Sequence, residues 1–548
     1  MIRKLPQPST GFLVTLGLLA LLVKLWLVQA HALIGLVSPH DCQLFLNLAH
    51  HLLSGDWFGK YNQLTLIKGP FYPLFIAANY WLGLPLLVSQ QLLYGLACLV
   101  VIRALSAIVR HPWLLLLFFL FLLFNPFTFN YPTTAYMYRL GIYPALGLLV
   151  FGALLGVLIR AHTSKKNALL WAIGLGLALS AFWHTREEGI WIIPSLLLVV
   201  LVNLFSLRTA PKSDQFKNVL IHAVPFLIWV GTTFLLCTIN QNQYGVFTTV
   251  ELKHPAFKSA YGGLLHIKSK HWRQFFPVDK TVREQAYQVS PTFKELQPYL
   301  EGPMSQRWMK MTGQDDVGSA HFVWAFRDAV ALAGYYKNGP ETIDFYKRMG
   351  EEIEAGCATG KLECLPGVSP LLPPWTSAYN VQFFPTYFSV IKRIVSFDTF
   401  TASTGKVRSK GDSSLMILYK TVTRQQLLTS RKKIHRAIPN YDTELNRTKT
   451  EILNGIGRVY QTITPILFLL ALAALLISLI RTRLTRMNLF CLSVLGGLLA
   501  NALILTMLSI TCYSLIGRPM HTTYPVVLLF IVSSWSTILF QQKGHHFT

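Results

Sequence analysis

The sequence predicts an all-α polytopic membrane protein, with about ten or eleven transmembrane helices, interfacial helices in the first external loop and a mostly helical external domain. Three observations predict it. Of 548 residues, 52% are hydrophobic and only 13% charged, roughly half the charge of a soluble chain, and mean hydropathy is +0.42. Apolar runs of about 18 residues or more, enough to cross a bilayer, recur along most of the length. The one long polar stretch, 241–458, lies between such runs. This balance excludes a cytosolic enzyme, a disordered chain and a fibrous repeat.

The elements follow in order. The first apolar run, 11–36, is too long for a signal-peptide core and lacks a small-residue cleavage site, so it reads as an uncleaved span. Further spans are expected at 86–104, 113–130, 140–160, 168–184, 189–206, 219–239, 460–480, 488–511 and 523–541. Alternating them across the bilayer puts Arg3, Lys4, Arg103, Arg110, Arg160, Lys165, Lys166, Arg208, Lys212, Lys217, Arg481, Arg483, Arg486 and Lys543 on one side. By the positive-inside rule that side is cytoplasmic, and both termini lie there. The stretch 70–84 is apolar but broken by Pro70, Pro73 and Pro85, and reads as interfacial or re-entrant.

The chain thus divides into an N-terminal membrane module at 1–240, an external domain at 241–458 and C-terminal membrane helices at 459–548. Within the external domain, Pro340 and Glu341 suit a helix start. Ile343, Tyr346, Met349 and Ile353 recur at helical spacing, and Gly356 suits the end. Residues 370–374 and 401–414 read as loops. The basic cluster at 431–436 reads as a solvated helix face or a lipid-phosphate site.

Forty-nine Lys and Arg against 24 Asp and Glu leave a net charge of +25. The basic residues sit mostly between apolar segments, so cytoplasmic retention and attraction to anionic membrane lipid or phosphate explain them better than nucleic acid, which is not an expected partner. The seven cysteines show no metal-ligand spacing. Cys357 and Cys364 stand alone in the polar segment, and an oxidising compartment would join them as a disulfide.

Polar residues near a membrane are informative, because an unpaired charge there costs several kcal/mol. In the first external loop, Phe45, Leu48, Ala49 and Leu52 form one helical stripe and Gln43, Asn47, His50 and Ser54 the opposite one. This predicts an amphipathic helix on the membrane surface, closed by Gly55. Asp41 stands at its start, either as a helix cap or as a reactive carboxylate. Lys68 follows at the next membrane re-entry and needs an anionic partner or a route to the interface. A turn with His184, Arg186, Glu187 and Glu188 is expected on the same face as Asp41, as is Arg139; a local salt bridge or a polar cavity would each explain the turn. Arg518 and His521 occupy the last external turn. Lys24, about 20 Å into the first span by helix rise, is expected to snorkel outward.

In its first 210 residues the chain resembles the C-type membrane glycosyltransferases, which use lipid-linked sugars. Asp41, Phe45, Ala49, Leu52, Gly55 and Trp57 match the order of their first-loop pattern, and the run Lys68, Gly69, Pro70, Phe71, Tyr72, Pro73 looks like the turn that follows. The likeness is nearest to the bacterial aminoarabinose, protein-mannosyl and rhizobial-type lipopolysaccharide transferases, and is looser over the last 70 residues. One departure is Cys42, where many relatives carry a second acidic residue. His40, on the other side of Asp41, could tune the carboxylate or donate a hydrogen bond to it.

The resemblance implies transfer of a sugar from a polyprenyl-phosphate donor to an envelope acceptor, by direct displacement with inversion. Asp41 is then the candidate base, and Lys68, Arg139, Arg186 and Arg518 are candidate partners of the donor phosphate. Glu187, Glu188, His40 and His521 are candidates for the acceptor or for a divalent cation, although no ligand spacing marks a metal, and the activated donor makes a nucleotide-binding loop unnecessary. It also implies a bacterial inner membrane with the large domain in the periplasm. Rival readings are a polysaccharide polymerase or ligase, a transporter, and a non-catalytic membrane scaffold.

Overall fold

The computed structural model describes residues 8–161, 163–206, 211–367, 369–403, 405, 407–428, 443–482, 484–512 and 522–539. The protein is a polytopic helical membrane protein. Among the described residues, seven helices are long and apolar enough to cross a bilayer: Thr10–Val28, Leu86–Leu105, Tyr143–Arg160, Lys165–Trp183, Lys212–Tyr244, Glu444–Thr482 and Arg486–Thr511. Shorter apolar helices occupy Pro112–Leu123, Gly189–Phe205 and Tyr524–Leu539, so each of the ten expected spans falls on a helix. The Phe71–Trp81 helix has 11 residues, about 16 Å of rise against a hydrocarbon layer of about 30 Å.

Several expectations are corrected. The first span ends at Val28 rather than Leu36. Residues beyond it turn extended because their backbone finds partners elsewhere: the Leu33 amide donates to Gln426, the Leu428 amide to Leu33, and the Ile34 amide to Ala135. The expected 113–130 span stops at Leu123, since Asn125 precedes Pro126 and the residue before a proline disfavours the helical region. Lys24 does not snorkel. It is fully buried and donates to the Leu123 carbonyl at 2.7 Å, with the Tyr94 ring 4.6 Å away. Tyr94 donates to the Leu122 carbonyl and Tyr460 to that of Phe121. Three side chains from three other helices thus satisfy carbonyls that an interrupted helix leaves without partners.

The first-loop helix, Cys42–Leu53, is also placed differently from expectation. At 100° per residue its apolar arc is about 200° wide, too wide for one flat interface. Cys42, Phe45, Leu46 and Ala49 pack into the core of the membrane bundle. Leu44 and Leu48 pack into a second core, shared with Phe257, Leu264, Phe326 and Ile353 of the polar segment. The helix is therefore wedged between two protein layers rather than lying on lipid.

That second core is held by a buried hub. Arg327 and Glu251, each 1% exposed, pair with one another, and Arg327 also donates to the Gln63 carbonyl. Tyr61 and Tyr336 donate to Glu251. The Gly339–Ala358 helix starts on an Asn338 cap and runs two residues past Gly356, where Val289 approaches too closely for a Cβ. A disulfide joins Cys357 to Cys364, with Cα atoms 5.6 Å apart. The later part of the polar segment differs: Val390, Ile394, Phe397, Tyr419 and Leu427 belong to the core of the membrane bundle.

Candidate active site

Asp41 begins the wedged helix, yet its side chain makes no capping hydrogen bond. It accepts instead from Lys68 Nζ at 2.5 Å. Lys68 also donates to the His40 carbonyl at 2.6 Å and is 8% exposed, whereas the Asp41 side chain is 51% exposed. The pair is thus asymmetric: a buried cation holds a carboxylate that remains open to solvent. Burial lowers the Lys68 pKa from its ordinary value, against the opposing pull of Asp41. The Phe45 and Trp324 rings lie 5.1 and 5.2 Å from its Nζ and supply cation–π stabilisation in place of water.

The next residue ties this pair to the 184–188 turn. The Gly69 amide donates to Glu187 Oε1 at 3.0 Å, and the Phe71 amide to the His184 carbonyl at 3.1 Å. A Cβ on Gly69 would fall 2.2 Å from that carbonyl oxygen, so only glycine allows the two turns to approach this closely. Glu187 accepts from Arg139 Nη1 at 2.6 and 2.8 Å, and Arg139 also donates to the Thr185 carbonyl. Asp41, Lys68, Glu187 and Arg139, from three separate loops, therefore form one continuous polar ladder.

Arg186 makes a separate two-pronged pair with Glu188, at 2.7 and 3.1 Å, with its guanidinium 5.6 Å from the Tyr143 ring. Burial alone would raise the Glu188 pKa, but Arg186 outweighs it and holds the carboxyl well below its usual range. Glu187 and Glu188, the sequence candidates for a cation, thus each have an arginine partner. Among the described residues no group of three or more His, Cys, Asp or Glu is gathered where a metal ion could sit. Cys42, in place of the second acid, has its thiol pushed up to about 12 by burial and by the Asp41 charge; it is a neutral packing residue at ordinary pH.

His40 does not turn its ring to Asp41. The ring bonds Asp328 at 3.3 Å and sits between Trp308 and Trp324, at 5.3 and 5.0 Å. Trp308, Trp324 and Asp328 come from the polar segment and surround the His40 ring, and Trp324 also meets Lys68. Sequence reading missed all three, because their helices carry only ordinary amphipathic spacing. It also missed Lys253, which lies 5.3 Å from the Trp183 ring and in electrostatic reach of Glu187 and Glu188. Arg518 and His521 lie outside the described residues.

An apolar cavity of about 460 Å³ is lined by Phe71, Leu93, Leu146, Leu149, Ala153 and Leu177, among other apolar side chains. Phe71 links it to the Lys68–Gly69 turn.

No family model matches the chain, and no curated protein matches it. Two solved structures are similar to it, both of ArnT from Cupriavidus metallidurans. The one bound to undecaprenyl phosphate is 14% identical, with a TM-score of 0.32, over 96% of this chain and 78% of that chain. The apo form is 15% identical, with a TM-score of 0.31, over 96% and 77%. A likeness of this size assigns neither donor nor acceptor.

Proposed function

We propose that the protein transfers a sugar from a polyprenyl-phosphate donor to an envelope acceptor on the outward face of the membrane, with Asp41 as the base. The carrying observation is the Asp41–Lys68 pair: an open carboxylate, not used as a helix cap, held by a buried lysine. An acceptor hydroxyl or amine attacks the anomeric carbon as the bond from that carbon to the phosphate oxygen breaks. The acceptor proton passes to Asp41, and the leaving polyprenyl phosphate takes the electron pair. Lys68 is the nearest cation to receive that phosphate. Once phosphate engages Lys68, the Asp41 carboxylate is released from its ion pair to accept the proton. Arg139 and Arg186 set the field around the leaving group, and the apolar cavity suits a prenyl chain.

The test is sugar transfer from a polyprenyl-phosphate donor in detergent, with monodispersity checked for each variant. Asp41→Asn preserves size and should lower transfer about 10²–10⁴-fold, the usual contribution of a general base. Lys68→Met should instead act mainly on donor KM. A folded Asp41→Asn enzyme with the wild-type rate would rule out Asp41 as the base.

A further inference from the structure

The Ser377–Ser396 helix meets the membrane bundle at both of its ends. Near its start, the Gln382 side chain accepts from Gln274 at 2.9 Å, and Gln274 also donates to the carbonyl of Ile510, one residue before the end of the Arg486–Thr511 helix. Past its end, the Phe397 ring lies 4.1 Å from Tyr524, the first residue of the Tyr524–Leu539 helix. The Phe397 carbonyl accepts from Gln461, just ahead of the apolar stretch of the Glu444–Thr482 helix. These contacts fall where bundle helices leave their apolar layer, and between them Tyr387 donates to the Leu499 carbonyl within the Arg486–Thr511 helix, so the helix lies against the bundle rather than away from it.

Its inner side is buried through Tyr379, Val390 and Ile394. Its outer side carries Val381 at 82% exposure, and Phe384 and Phe388 at 64% each. These stand at helical spacing, with exposed Lys392 one turn on. A stripe of this kind facing water would be an unusual cost for a soluble surface. Charge separates this region from the rest of the polar segment. Residues 377–428 hold seven Lys and Arg against two Asp and Glu, whereas 241–366 hold fifteen against fourteen. The positive excess is concentrated in the part that packs on the membrane bundle.

We propose that the Ser377–Ser396 helix is an in-plane membrane anchor for the polar segment. Val381, Phe384 and Phe388 sit among the acyl chains of the adjoining leaflet, and Lys392 meets the headgroup phosphate of an anionic phospholipid. The occupant is bilayer lipid rather than a second copy of the chain, since the stripe continues into the exposed Leu499 and Leu503 of the spanning helix beneath it.

The test uses the full chain in nanodiscs of phosphatidylethanolamine and phosphatidylglycerol, with nitroxides on Val381→Cys and Phe388→Cys in a Cys512→Ser background. Glu354→Cys, on the exposed face of the Gly339–Ala358 helix, is the aqueous reference. Labels in lipid should relax with oxygen several-fold more than with an aqueous nickel chelate, relative to Glu354→Cys. Ratios equal to the reference would overturn the proposal, as would shielding from both reagents only in nanodiscs holding two copies. Val381, the most exposed position, carries the test if Phe388→Cys does not fold. Lys392→Glu should reduce co-purifying phosphatidylglycerol, and an unchanged amount would overturn the headgroup contact.

Discussion

Single residues decide whether the polar ladder holds. Gly69 is the sharpest case, because a methyl group there would collide with the His184 carbonyl. Gly69→Ala should separate the two turns, draw Lys68 off its position and lower transfer at least about 10-fold, since misplacement of about 1 Å can cost 10²-fold. Folding should be retained, as checked by monodispersity, because the collision is confined to two loops. Lys68 itself predicts a pH dependence. In the proposed mechanism its protonated form receives the phosphate, and burial lowers its pKa below the ordinary 10.5. Binding is therefore complete at low pH and lost as pH rises through the lowered value. Donor KM should climb on the alkaline side before an ordinary lysine would titrate, and the Lys68→Met enzyme should show no such limb. Asp41 and Lys68 could be singled out in the sequence because the first-loop pattern begins at one and a lysine at a membrane edge needs an anionic partner or a route to the interface. Trp324 and Asp328 could not: nothing in a regular amphipathic helix says which of its turns faces His40 and Lys68.

Whole elements were easiest to read where length and apolarity acted together, and hardest where the chain breaks off early. The Pro112–Leu123 helix is the example. Its apolar composition continues past its end, but its backbone does not, and Lys24, Tyr94 and Tyr460 arrive from elsewhere to bond its last carbonyls. Long-range rescue of this kind leaves no local signature, so Lys24 looked like a snorkelling residue. Lys24→Met removes a donor while keeping the apolar stem. It should cost about 1–3 kcal/mol, the penalty of an unsatisfied buried carbonyl, read as a lower Tm in detergent with transfer per folded molecule unchanged. The Cys42–Leu53 helix teaches the complementary lesson. Its wide apolar arc was visible in the sequence, but that the arc serves two cores could be seen only once the polar segment was folded against it.

At the scale of the molecule, the polar segment and the first loop form one core, and the Arg327–Glu251 pair is its centre. Arg327→Met would leave the Glu251 charge buried without its cation and should destabilise by about 3–5 kcal/mol. Arg327→Met combined with Glu251→Gln should recover much of that loss in thermal unfolding, because the uncompensated charge is gone. Since the same segment supplies Trp308, Trp324 and Asp328, loss of this core should also reduce transfer, by loosening the packing around His40 and Lys68. The apolar runs that placed the spans recur along the whole chain, which is why the spanning helices were readable without any homologue. The packing of one segment on another depends on side-chain shape and was not. The central claim, that the molecule adds one sugar from a lipid-linked donor, is tested most directly by mass analysis of envelope glycolipids and glycans. Cells lacking the gene would be compared with cells carrying wild-type or Asp41→Asn protein at equal membrane levels. The prediction is that one species loses a single-sugar mass increment in the deletion, regains it with wild-type protein and does not regain it with Asp41→Asn. Full restoration by Asp41→Asn, or loss of an entire polymer rather than a single sugar, would contradict it.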